Sequence, residues 1–139
     1  MALSFHVQLM FQNGDARAAI GLYEAVFDDF TVEHLDTFGV GGAGPIGHVR
    51  IAICTLLGGT ITCFDIPAQP DFEMTPAIAL SVQYASRIEL DDAFETLSDG
   101  GEVLLPLDDY GLRRRCGQLS DRHGVPWALG LVEMGHPTI

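Results

Sequence analysis

A strand pattern, a helix pattern and three further strand patterns occur in that order in each half of the 139-residue chain. A repeat of this kind restricts the fold to two similar modules of mixed α and β structure. The first copy opens on an alternating apolar run at 5–11 and turns at Asn13-Gly14 into a helical stripe. Ala16, Ala19, Ile20, Tyr23, Val26 and Phe27 recur at steps of three and four residues or fall beside such a step, which makes one side apolar and the other wet. Asn13 reads as the cap of this helix and Asp15 as an acid in its first turn. Strands follow at 31–38, 48–57 and 60–66, the last two joined by the hairpin signal Gly58-Gly59.

The second copy starts with a strand at 77–83. A helix over 91–98 buries Leu90, Ala93, Phe94 and Leu97 and stops at Gly100-Gly101, where glycine can take the left-handed conformation. Strands at 102–107, 112–119 and 127–132 complete it, the last preceded by the turn Asp121-Arg122-His123-Gly124. The expected organisation is one domain, 1–139, because neither half alone buries enough surface to be comfortable. Its modules are 4–66 and 77–133, and the proline-rich stretch 67–76 reads as an ordered crossover, unable to form a helix or a central strand.

Nineteen acidic residues against seven basic give a formal charge of −12. Such a surface repels phosphate backbones and anionic membranes, so no nucleic acid and no membrane is expected as a partner. The basic cluster Arg113-Arg114-Arg115 lies in a strand pattern and reads as a solvated edge, with Arg114 on the face opposite its neighbours. No run approaches the roughly 18 apolar residues of a membrane span, and no charged leader precedes an apolar stretch. The expected location is the cytoplasm. Three cysteines, Cys54, Cys63 and Cys116, form no close pair in sequence, and reduced thiols are the expectation.

The loop Gly39-Val40-Gly41-Gly42-Ala43-Gly44 matches G-x-G-x-x-G, with Asp65 about 20 residues beyond it. That fingerprint needs a helix after the last glycine, whereas Pro45-Ile46-Gly47 leads into another strand. The loop is read instead as a mobile flap or as a plain hairpin connection. Ser98-Asp99-Gly100 reads as a helix stop and not as a nucleophile turn. Glu24, Asp28, Asp29, Asp91, Asp92 and Glu95 read as solvated charge with no acid and base pair among them.

Two segments carry a resemblance. They are Phe11-Gln12-Asn13-Gly14-Asp15-Ala16 leading to Leu22-Tyr23-Glu24-Ala25-Val26-Phe27, and Cys116-Gly117-Gln118-Leu119-Ser120-Asp121-Arg122-His123-Gly124-Val125-Pro126-Trp127. With the element order they resemble the vicinal oxygen chelate superfamily, the glyoxalase and bleomycin-resistance fold, and within it the PhnB-like group. The resemblance implies an α+β fold of two β-α-β-β-β modules whose curled mixed sheets surround a cavity, in a homodimer. Superfamily enzymes hold a divalent metal there through His, Gln or Glu on four strands.

In this chain Gln8, or His6 on the same face, matches the first ligand position, and Thr62 or Cys63 falls where the metal enzymes carry Glu. Ala77 and Ala128 fall at the two ligand positions of the second module. Alanine has no lone pair to give, and one Gln with one Cys does not hold zinc or nickel well. The expectation is therefore no metal and no cofactor. Alternation puts Ala77, Ala79, Ser81 and Gln83 on one face, with Ala128 and Gly130 on the matching face of the last strand, as an open wall. The polar groups expected to meet a small ligand are His6, Gln8, His48, Arg50, Cys54 and Cys63.

All but Gln8 have a plainer reading: His6 as a strand-end residue, His48 as exposed, Arg50 as the partner of Glu33 or Asp36, and the two cysteines as small hydrophobes. Some members of the group bear the name of a demethylubiquinone methyltransferase, but a methyl-donor site needs a glycine-rich strand-to-helix turn in a doubly wound sheet, which this order lacks. The reading adopted is a PhnB-like small-molecule-binding protein. The alternative is a superfamily enzyme, metal-dependent or using His6 or His48 as base.

Overall fold

In the computed structural model of the chain, residues 1–67, 73–110 and 113–132 are described, apart from the side chain of Arg113. The middle of the expected crossover, the start of the strand predicted from Leu112, and residue 133 lie outside them. The chain divides into two compact units, Met1–Asp71 and Phe72–Ile139.

Unit 1 contains β1 (Val7–Phe11), α1 (Ala16–Val26), β2 (Thr31–Thr37), β3 (Val49–Leu56) and β4 (Gly59–Asp65). Its sheet has the order β1-β4-β3-β2, with β1 parallel to β4 and the other pairs antiparallel. Unit 2 repeats this with β5 (Leu80–Tyr84), α2 (Arg87–Ser98), β6 (Glu102–Tyr110), β7 (Arg113–Ser120) and β8 (Pro126–Leu131). Its order is β5-β8-β7-β6, again with one parallel pair, β5 and β8.

In each unit the helix covers one face of the sheet. The apolar stripe of α1 delivers Ala16, Ala19, Ile20 and Tyr23 to a buried layer with Leu9, Phe11, Ala52, Cys54, Ile61 and Cys63. In unit 2, Leu90, Ala93, Phe94 and Leu97 meet Val82, Leu119, Trp127 and Leu129. A buried carboxylate ties each unit together. Asp65 is 2% exposed, and its Oδ1 accepts from the Ala16 N–H at 2.9 Å while Oδ2 accepts from Val49 at 2.8 Å. Asp121 accepts from the N–H groups of His123 and Val125 and from Trp127 Nε1 at 3.0 Å.

Several local expectations shift. Asn13 does not cap α1: it and Gly14 turn with φ of 59° and 75°, Asp15 is the cap residue with no side-chain bond to the helix, and Asp65 supplies the acceptor from 49 residues away. The hairpin turn is Leu57-Gly58 and not Gly58-Gly59, with both residues at positive φ (50° and 83°) and Gly59 already paired to Leu56. Helix α2 begins four residues early because Ser86 accepts from Glu89 N–H, an N-cap outside the apolar stripe. Ala77, Ile78 and Ala79 precede β5, which starts at Leu80 opposite Trp127 near the beginning of β8. The register would carry Ala79 to Pro126, which has no N–H to donate, and Ala77 beyond the start of β8.

The arginine cluster is not on an edge, since β7 lies between β8 and β6. Arg115 reaches the α2 side and pairs with Asp91 at 2.7 Å, while Arg114 is exposed. The glycine-rich loop is a hairpin connection: Phe38 N–H donates to His48 O, Gly47 N–H donates back to Phe38 O at 3.0 Å, and Phe38 is itself buried.

Candidate functional site

The face of the unit 1 sheet turned away from α1 carries most of its polar candidates. Register runs one row across all four strands: Gln8 pairs with Thr62, Thr62 with Ile53, and Ile53 with His34. Residues opposite one another share a face, and Gln8, Ile53 and His34 are exposed. The row therefore spans about 14 Å from amide to imidazole. Beside it, the pairs Met10–Phe64 and Ile51–Asp36 put three half-buried apolar side chains on the same face.

Thr62 sits near the middle of this face, 7% exposed, and its Oγ1 is buried without a hydrogen-bond partner. Buried hydroxyls are almost always satisfied. This one carries an unused donor and acceptor into a face already lined by an amide.

The six residues expected to meet a ligand do not converge. Gln8 belongs to the helix-free face, and His6 precedes β1 by one residue, exposed, with the same parity. Cys54 and Cys63 point the other way, both 0% exposed in the layer beneath α1. A one-residue difference in alternation decides this, because Cys63 pairs with Leu9 and Ala52, whereas its neighbour Thr62 pairs with Gln8 and Ile53. The Cys63 thiol is pushed well above the ordinary range by its hydrogen bond to Cys54 and by burial. It stays a neutral S–H and not a nucleophile.

Arg50 is exposed and ion-pairs with Asp36. That bond holds the Asp36 carboxyl below its usual range and engages the cation expected to receive an anionic ligand. His48 is half-buried against the turn before α1, so close that a Cβ on Gly14 would lie 2.6 Å from its Nε2. Its ring packs a glycine there.

In unit 2 the corresponding row is Ser81, Ala128, Gln118 and Leu105, and the next is Gln83, Gly130 and Cys116. The helix lies on the other face, where a Cβ on Gly117 would come within 2.8 Å of Phe94 Cε2. Ser81 and Gln83 therefore share a face with Ala128 and Gly130, as alternation in the sequence implies. Gln83 leans over Gly130, its Oε1 3.1 Å from where a Cβ would sit, and its Nε2 donates to Ser81 Oγ at 3.4 Å. The missing glycine side chain leaves room for the amide.

The resemblance implies a divalent metal, and these residues do not fit one. The positions in register are an amide and a hydroxyl in unit 1 (Gln8, Thr62) and a hydroxyl and a methyl in unit 2 (Ser81, Ala128). Among the described residues, no three His, Cys, Asp or Glu side chains come together as a metal-binding group. Zinc and nickel sites need three or four protein donors, and Gln8 alone supplies one.

His34 was not singled out in the sequence. Its signal is weak, since the register shift between Val32 and His34 moves it out of simple alternation and onto the Gln8 face.

Two four-stranded mixed sheets of identical strand order, each with one helix on one face, define an α+β protein of the glyoxalase and bleomycin-resistance type. The family described as 3-demethylubiquinone-9 3-methyltransferase matches residues 4–130, and the chain belongs to that family, the PhnB-like group of the vicinal oxygen chelate superfamily. The PhnB protein of Bacillus cereus is 32% identical, with a TM-score of 0.89 over 94% of this chain and 100% of its own. A Pseudomonas aeruginosa protein is 25% identical, with a TM-score of 0.79 over 94% and 98%. A glyoxylase/bleomycin resistance protein/dioxygenase domain from Frankia shares the fold at 18% identity, TM-score 0.66, covering 98% and 96%. No curated protein matches the chain. Among the described residues, no helix is long and apolar enough to cross a membrane.

Proposed function

We propose that this protein is a cytoplasmic, homodimeric small-molecule-binding member of its group, working without the superfamily metal. Its ligand lies against the helix-free face of unit 1. The observation that carries this reading is the buried, unsatisfied hydroxyl of Thr62 beside the amide of Gln8, with His34 at the far end of the row. A ligand that offers a polar atom at Thr62 and an apolar part to Ile53, Met10 and Phe64 matches the surface. His6 and Gln8 remain ligand contacts in this reading. Arg50, His48, Cys54 and Cys63 become structural, because each is already engaged by Asp36, by Gly14 or by the core under α1.

The family's description names a methyltransferase, and methyl transfer is not proposed. The strand-to-helix turn Asn13-Gly14-Asp15 has one glycine, and the N-terminus of α1, where a phosphate or carboxylate of a cofactor would dock, already faces the carboxylate of Asp65.

The test is elemental analysis of the purified protein before and after exposure to zinc, nickel, manganese and iron(II), with thermal stability followed in parallel. The expected result is no stoichiometric metal and no rise in melting temperature. A stoichiometric metal with a clear rise would overturn the reading, since a ligand bound only to the folded state must stabilise it.

A further inference from the structure

The helix-free face of unit 1 is graded along its strands, from apolar at one end to polar at the other. Successive rows on it lie two residues, about 7 Å, apart. The first row is apolar, with Met10 beside Phe64 and Ile51 on β3. Gln8, Thr62, Ile53 and His34 make the middle row. In the last, Thr60 pairs with Thr55 and Thr55 with Thr31, a line of hydroxyls across β4, β3 and β2.

The polar end also holds a carboxylate. The register shift between Val32 and His34 leaves Glu33 as an extra residue on β2, and its Oε1 accepts from Thr55 Oγ1 at 3.2 Å. A regular strand would send Glu33 and His34 to opposite faces, and the bulge brings both to this one. Glu33 is exposed, and a single hydroxyl leaves most of the acceptor capacity of a carboxylate unused. No cation on this sheet offsets it. Residues 1–67 contain two arginines and no lysine: Arg17 belongs to α1, and Arg50 is held by Asp36. A chain of net charge −12 gathers cations and repels anions.

Thr62 lies between the two ends. It is diagonal to Thr55, hence about 7–8 Å from it, and its buried Oγ1 has no partner. Gln8 and Ile53, its neighbours in the row, are exposed side chains that can turn aside to admit a ligand atom.

We infer that the ligand is a cationic amphiphile. An apolar ring lies on Met10, Phe64 and Ile51, a carbonyl or amide meets Thr62, and an ammonium group meets Glu33. This rests on the ligand site proposed above and gives that ligand a charge and an orientation.

The test is a chemical-shift titration of the isotope-labelled full chain with three compounds that differ only at one end. They are N-(aminoethyl)benzamide, N-propylbenzamide and N-benzoyl-β-alanine, which are cationic, neutral and anionic at neutral pH. The backbone signals of Gln8, Thr62 and Ile53 should move. The cation should bind about fivefold more tightly than the neutral compound, the worth of an exposed charge pair, and the anion more weakly than either. Added salt should shrink the difference. In Glu33→Gln the advantage of the cation should vanish. In Glu24→Gln, which removes the same charge from the exposed side of α1, it should persist, which separates a contact with Glu33 from attraction by net charge. An advantage that survives Glu33→Gln refutes the ammonium site. Equal binding of all three compounds, or tighter binding of the anion, with Gln8, Thr62 and Ile53 still responding, keeps the ligand site and overturns its charge class. No response on this face to any of the three at millimolar concentration overturns both.

Discussion

Thr62→Val removes the unsatisfied hydroxyl and keeps the shape of the side chain, so it tests the site with little steric change. A hydroxyl buried without a bond costs about 1–3 kcal/mol. Thr62 is 7% exposed with Oγ1 unsatisfied, and the valine variant is expected to be more stable by about 1–2 kcal/mol. For a chain of this length that corresponds to a rise in Tm of about 3–6 °C. The assay is urea denaturation of both proteins with the slope m compared, since a shift in midpoint at constant m reports stability alone. The same substitution should weaken any compound that wild type binds on this face by about tenfold, one hydrogen bond's worth. Stability and binding therefore move in opposite directions. A valine variant less stable than wild type would show that the hydroxyl has a partner in solution, and the case for a ligand donor at Thr62 would fail.

Asp65→Ala leaves the N–H groups of Ala16 and Val49 buried without acceptors and should destabilise by about 3–5 kcal/mol; a loss under about 1 kcal/mol in urea titration would contradict the account of how α1 is tied to β4. Thiol titration of the native protein with an aromatic disulfide reagent should find Cys116, half-exposed, reacting first, with Cys54 and Cys63 reacting only on unfolding. Three thiols reacting together in the native state would contradict their burial. Arg50→Ala should return the Asp36 carboxyl toward its ordinary range in a side-chain NMR titration. Because the folded pKa is depressed, the pair's small contribution is present above the unfolded carboxylate pKa and lost as pH falls through the folded one. Added salt should weaken it, as both side chains are largely solvated; an Asp36 pKa that ignores the substitution would show that the ion pair does not form.

The order of elements and the repeat were legible from residue period alone, because the apolar stripe of α1 and the alternation of Phe5 to Phe11 follow from backbone geometry. Local chemistry was legible where it is local: Gly100, after the last turn of α2, has φ of 77°, as the helix stop at Gly100-Gly101 requires. Errors cluster where a residue answers to something distant. Asn13 is a good cap by type, but the acceptor for α1 comes from Asp65 on β4. Ala77 and Ala79 alternate as a strand should, yet lie outside β5, because the register carries Ala79 to Pro126, which has no N–H to donate, and Ala77 past the start of β8.

The candidate site divides the same way. Residue types narrowed it to His6, Gln8, His48, Arg50, Cys54 and Cys63, and to Thr62 as the position a metal-binding Glu would hold. They could not say which of Thr62 and Cys63 faces away from the helix. Adjacent residues on a strand point to opposite faces, so a single step of register moves a group from the core under α1 to the opposite face. Sequence by itself determined the α+β class and the two repeated modules, since those depend on residue type and period. Tertiary structure alone decided that Thr62 is buried and unsatisfied beside Gln8, that Arg50 is held by Asp36, and that both cysteines belong to the core, since pairing across strands is a property of neighbours far apart in the chain.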